Sequence, residues 1–151
     1  MSDSPVSART PLWEGFNQAA DAREFRLQVC AQCARVQYPP REVCRNCLSD
    51  ELNWSGVDSS GTVQEAIAVH ASLEPWFRER TPWWIGKIVL DCGVKLIAHL
   101  DEDCRDAGAP VQVMLARDCS GSSVFVALAS QTSAPSAPEL IELLQLPAGA
   151  E

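Results

Sequence analysis

CAQCARVQYPPREVCRNC, residues 30 to 47, decides how the first third of this chain folds. A Cys-x-x-Cys turn aims two sulfurs at one point, and Cys30/Cys33 with Cys44/Cys47 supply two such turns. Four thiolates complete a tetrahedral shell and leave no open position, which is the donor set of a structural zinc. Iron in a rubredoxin-like site takes the same ligands. Ten residues separate the pairs, fewer than in common zinc ribbons. The gap holds an extended RVQY and a Pro39-Pro40 turn that leads into the second knuckle. Metal binding supplies folding energy to a segment too small for a core of its own.

Outward from the cysteines, FRLQV and ELNW read as flanking strands. Upstream, Thr10 and Pro11 suit an N-cap and first helical residue. Leu12, Trp13, Phe16, Ala19 and Ala20 follow at helical spacing, giving a short amphipathic helix to about Arg23. Downstream, TVQEAIAV, WIGKIVL, VKLIAHL, VQVMLAR and SVFVALA are rich in Val, Ile and Leu and broken by turn residues. Asp91-Cys92-Gly93 makes the hairpin between the second and third. Five strands so joined fit an OB-fold, a five-stranded Greek-key barrel. The expected fold is therefore α+β and mainly β. Residues 1–9 form a disordered tail, 10–55 a helix and zinc ribbon, 56–130 the OB-fold, and 131–151 a linker and apolar helix.

The 151 residues are 46% apolar, enough for a core, and carry 12 basic against 20 acidic groups, a formal charge of −8. Nucleic-acid affinity rests on clustered positive charge, so this balance weighs against a general nucleic-acid binder. The N-terminus lacks the apolar stretch of a signal peptide, and no run reaches spanning length. With paired CxxC motifs among seven cysteines, a reducing cytoplasm with metal-bound thiolates is expected.

EPWFRERTPWW, residues 74–84, joins the first two barrel strands and holds three of the five tryptophans. Trp83 and Trp84 alternate faces at the start of a strand, so one of them should plug the barrel. Trp76, Phe77, Arg78 and Arg80 match the residue types enriched in interface anchors, and a contact role is expected for this loop. His70 and His99 lie within strand patterns and read as core or barrel-surface histidines. Cys92, Cys104 and Cys119 stand at or near turns beside Asp91, Asp103 and Asp118, the wrong charge for activating a thiolate. No nucleophile–base set is evident, and no catalytic residue is assigned.

LWEGF, then RLQVCAQCARVQYPPREVCRNCLSDELNW, then a GTV-led barrel with PWWIGKIVLDCGVKLIAHL resembles one family over about residues 11 to 130. It is the zinc-ribbon plus OB-fold family that accompanies thiolase-superfamily enzymes, long catalogued as a domain of unknown function. Where that family ends each knuckle in glycine, this chain has Ala34 and Leu48, at positions that favour φ > 0. Its Pro-Tyr is Pro82-Trp83 here, and its acidic hairpin residue is Cys92.

The resemblance implies a non-catalytic subunit of a hetero-oligomer with a thiolase (an acyltransferase) or thiolase-like aldolase. The complex would act on acyl-CoA thioesters, with catalytic residues in the partner and structural zinc here. Trp76, Phe77, Arg78, Arg80, Trp83 and Trp84 would then lie at the partner and CoA contact. Two alternatives are a single-stranded nucleic-acid module, with aromatic platforms and Arg35, Arg41 and Arg45 on the ribbon, and a stand-alone acyl-CoA-binding protein.

Overall fold

A computed structural model describes residues 11–130, 136–147 and 149. The tail at 1–9, Thr10 as a cap, and residues 131–135 of the linker lie outside them. After a 3-10 turn at Pro11–Trp13, helix α1 runs Glu14–Asp21 and buries Phe16, Ala19 and Ala20 on one face. It stops short of the expected Arg23. Arg23 turns left-handed at φ 55, and the N–H groups of Arg23 and Glu24 donate back to the carbonyls of Ala20 and Ala19. That pair of bonds closes the helix as a Schellman cap, with an arginine in the place glycine usually takes.

Strands β1 (Arg26–Cys30), β2 (Val36–Gln37) and β3 (Leu52–Gly56) form an antiparallel sheet in the order β2-β1-β3. Five more strands close the expected barrel: β4 (Ser60–Val69), β5 (Trp83–Leu90), β6 (Lys95–Leu100), β7 (Pro110–Arg117) and β8 (Ser123–Ala129). Their order is β4-β5-β6-β8-β7, antiparallel throughout except for the short parallel seam pairing His99 with Val126 and Leu100 with Ala127. Ile88, Leu90, Leu96, Leu100, Val111, Val113 and Phe125 point inward and are buried. Each such side chain contributes about 1.5–3 kcal/mol of apolar transfer. No helix among the described residues is long and apolar enough to cross a membrane.

Phe16 joins the three units. Its ring lies 5.0 Å from that of Trp13, 4.7 Å from Trp54 on β3, 5.8 Å from Tyr38 beside β2, and 5.5 Å from Phe125 on β8. The Trp54 indole lies so close to the helix that a Cβ on Gly15 would sit 2.1 Å from it. Glycine at that helical position is a packing requirement. Arg117 of β7 makes a bidentate bond of 2.7 Å and 2.7 Å to Asp21 at the end of α1. The pair is largely solvent-exposed, so it guides the docking of α1 more than it stabilises it.

A second, smaller core lies on the outside of the barrel. There Trp83, Val126 and Ala116 are covered by Trp76 of α2 (Pro75–Arg78) and Leu144 of α3 (Ser136–Gln145).

Gly15→Ala tests the central joint. Alanine favours a helix by about 1 kcal/mol over glycine, yet here the methyl must displace an indole, and overpacking costs about 1–3 kcal/mol. The expected result is a lower melting temperature. A rise would show that Trp54 does not hold its place against the helix.

Candidate metal centre and the aromatic loop

Each cysteine pair sits on a backbone knuckle. Ala34 N–H donates to the Cys30 carbonyl at 2.9 Å, and Leu48 N–H to that of Cys44 at 2.9 Å. Both turns end left-handed, Ala34 at φ 60 and Leu48 at φ 64, as the position demands and their side chains resist. The four Sγ atoms lie within 4.8 Å of one another, with Cys30–Cys47 at 3.5 Å and Cys33–Cys44 at 3.6 Å. A tetrahedron with zinc–sulfur bonds of about 2.3 Å has sulfur–sulfur edges of about 3.8 Å. The donors and their spacing fit a zinc ion held by Cys30, Cys33, Cys44 and Cys47. When bound, it ties the two knuckles together and supplies no reactive position.

Backbone donors point at the sulfurs. The Arg35 N–H brings the Cys33 thiol down to about 6, with the Asn46 side chain assisting. Cys44 is lowered by the N–H groups of Cys47 and Asn46. At Cys47 the Ser49 N–H favours the thiolate, but the three neighbouring sulfurs and burial together push that thiol up to about 12. Four thiolates at one point repel, and a dication relieves that repulsion.

Two residues that sequence reading missed hold the ribbon's long arm. Gln28 and Gln37, paired across β1 and β2, are 4% and 2% exposed. Gln28 accepts from Arg41 N–H at 2.8 Å and donates to the Arg41 carbonyl at 3.1 Å. Gln37 accepts from Arg45 N–H at 3.0 Å and donates to Gln28 Oε1 at 3.1 Å. These amides stand in for a missing strand and bring the second knuckle to the first. An uncharged polar residue next to a cysteine pair, within a short strand, was the available signal.

The aromatic loop departs from expectation at Trp76. This residue is only 6% exposed and its Nε1 donates to the Leu146 carbonyl at 2.6 Å. Arg80 lies over its ring at 4.3 Å and donates to the carbonyls of Trp76 and Pro147. The chain's own C-terminal segment covers the indole, so Trp76 is core rather than an exposed anchor. Trp83 is likewise buried, on the outer face of β5, while Trp84 takes the inward register and packs on the barrel core under the Arg105 guanidinium. Phe77 and Arg80 are half-buried, and Arg78 is exposed.

His99 is a satisfied histidine, as expected. Its Nδ1 accepts from Trp83 Nε1 at 2.9 Å, and burial pushes its pKa down to about 4 against the pull of Asp118. His70 is exposed at the end of β4. Cys104 is buried in a 3-10 turn, and burial pushes its thiol up to about 11, while Cys92 and Cys119 are exposed.

Two measurements follow. Elemental analysis should give one zinc per chain, lost in Cys44→Ser; a full equivalent in that variant would remove Cys44 from the site. The second concerns His99. An unfolded histidine titrates near its ordinary value of 6.5, while the folded one stays neutral to about 4. Between those values the unfolded state takes up a proton that the folded state refuses, so stability is full above pH 6.5 and falls on acidification. The loss is at most about 3 kcal/mol. His99→Gln should flatten the acid limb of the melting temperature; an unchanged limb would show that other groups set it.

The family model described as ChsH2, rubredoxin-like zinc ribbon domain, matches residues 18–53, and that of the ChsH2 C-terminal OB-fold domain matches 54–115. Among solved structures, the chain is similar to one described as Ltp2-ChsH2(DUF35) aldolase. The TM-score is 0.68 at 23% identity, over 81% of this chain and 97% of that one. It is also similar to a DUF35-family protein of unknown function from Sulfolobus solfataricus, with a TM-score of 0.50 at 18% identity, over 68% of this chain and 77% of that one. The comparison with curated proteins found no match. With the two domain models adjoining over residues 18–115, more than half of the chain, and the four cysteines inside the first, the chain belongs to the ChsH2 family, a rubredoxin-like zinc ribbon followed by a C-terminal OB-fold.

Proposed function

We propose that this chain is the non-catalytic accessory subunit of a thiolase-superfamily complex in the cytoplasm. The complex, a thiolase or thiolase-like aldolase, would act on acyl-CoA thioesters in a degradation pathway. The observation that carries the reading is the succession of the two ChsH2 domains in one chain, similar in fold to a chain of the Ltp2-ChsH2(DUF35) aldolase.

The residues' own chemistry supports placing catalysis in the partner. Cys104, the buried thiol outside the metal site, is held protonated and directs its Sγ to the carbonyls of Asp101 and Ala127. His99 spends Nδ1 on Trp83 and stays neutral. A nucleophile needs an adjacent base or a lowered pKa; the Cys104 thiol is raised and faces backbone carbonyls, and the His99 nitrogen is committed to Trp83. The ribbon and α1 complete the assembly. The α2 segment, through exposed Arg78 and half-buried Phe77 and Arg80, borders the entrance for the CoA thioester, with Trp84 at the barrel end beside it. Trp76 and Trp83 stiffen that segment from below.

Co-expression with each thiolase-superfamily enzyme of the source organism is the direct test. One of them should copurify in a fixed ratio and be inactive or unstable without this chain, while the isolated chain turns over no acyl-CoA. Failure of all of them to associate would defeat the reading, as would turnover by the pure chain that Cys92→Ala or His99→Gln abolishes.

A further inference from the structure

A cavity of about 740 Å³ lies against the outer side of the barrel, between the C-terminal end of α1 and α3. Its floor follows from strand alternation. Val111 and Val113 are buried inside the barrel, so Met114 and Ala116 of β7 face outward. Leu128 of β8, in register with Gln112, shares that side. Ala20 of α1 and Ile141 of α3 supply apolar walls, and the short alanine side chains at 20, 116 and 129 leave the space open. The volume falls within the range of small-molecule sites, whose usual make-up is an apolar lining with few polar groups.

Four charged side chains also line it: Asp21, Arg23, Arg117 and Glu142. Arg117 is already matched, by its two bonds to Asp21. Arg23 is exposed and has no ion-pair partner among the described residues. Glu142, also exposed, stands on α3, the other wall, and keeps its carboxylate in water. Arg23 is the same residue that closes α1 in the left-handed region, at φ 55. Glycine would take that cap without the cost of a Cβ. A strained residue held where an easier one would serve points to a use for its side chain.

We propose that this cavity binds an aliphatic monocarboxylate, its chain on Met114, Leu128 and Ile141 and its carboxylate on the Arg23 guanidinium. Arginine meets a carboxylate with two parallel N–H donors. With Arg117 neutralised by Asp21, one free guanidinium matches one negative charge. A phosphate dianion would leave a second charge unmatched in a site that also holds Glu142. The cavity shares no lining residue with the four-cysteine site or with the α2 residues assigned to the thioester entrance. The proposal therefore does not depend on the accessory role.

Met114 makes the test direct. It is the one methionine besides Met1, so methyl-labelled methionine places a single NMR reporter on the cavity floor. Octanoate titrated into the zinc-loaded full chain should shift the Met114 methyl signal. It should bind about tenfold or more tightly than octan-1-ol, which has the same chain without the charge. Arg23→Gly should melt higher than the wild type, because glycine relieves the cap, and yet lose that preference. Arg23→Gln, which keeps a side chain of similar reach, should lose it as well. A Met114 signal unmoved by octanoate would overturn the proposal, as would equal affinity for octan-1-ol. Tighter binding of octylammonium would assign the site to Glu142 and overturn it too. So would an octanoate preference that survives in both Arg23 variants, because the carboxylate would then rest elsewhere.

Discussion

The Phe16 ring is the constraint on which the rest of the architecture depends. The helix, the ribbon and the barrel each present one apolar side that is too small to stand alone, and all three sides meet at this side chain. Trp13 and Phe16 come from the helix end, Tyr38 and Trp54 from the ribbon, and Phe125 from the barrel. Edge-to-face packing of such rings adds about 0.5–1.5 kcal/mol per pair beyond the area buried. The geometry is directional, so the joint sets orientation as well as adhesion. Gly15 is the concession the helix makes to it.

The ribbon solves a different problem. Its strands are short, β2 spanning only Val36–Gln37, and its buried set is small. Order there comes from the four sulfurs and from the two glutamine amides that hold residues 41 to 45 by their backbone. A polar network inside a small module stabilises only when every member is satisfied, and Gln28 and Gln37 satisfy one another as well as the arm. Ala34 and Leu48 cost the knuckles some backbone energy in the left-handed region, which the metal has to offset.

What could be read from the sequence follows from how local the cause is. CxxC spacing is local, and so are the alternating strands and the Asp91-Cys92-Gly93 turn; the metal site and the five-stranded barrel were therefore legible. The early stop of α1 was not, because the cap places an arginine where glycine is the usual signal. Gln28 and Gln37 were readable only as uncharged residues within short strands, because their partners include backbone groups of a loop with no pattern. Trp76 was misread for a related reason: its composition suits an anchor, but the carbonyl that binds its indole comes from a residue 70 positions away. The assignment of Trp83 outward and Trp84 inward required the register of β5, which the sequence left open between the two.

The same long reach carries a consequence for synthesis. Asn17 accepts from the Ser123 hydroxyl, 106 positions later, and Phe16 rests on Phe125 beside it. As the chain leaves the ribosome, the helix emerges with its apolar side bare, and its seat is complete only when β8 appears. The four cysteines emerge within one short span, so zinc can clasp the ribbon long before that. The metal thereby gives the nascent chain an early ordered unit, and holds Tyr38 and Trp54 near the helix while the barrel is still being made.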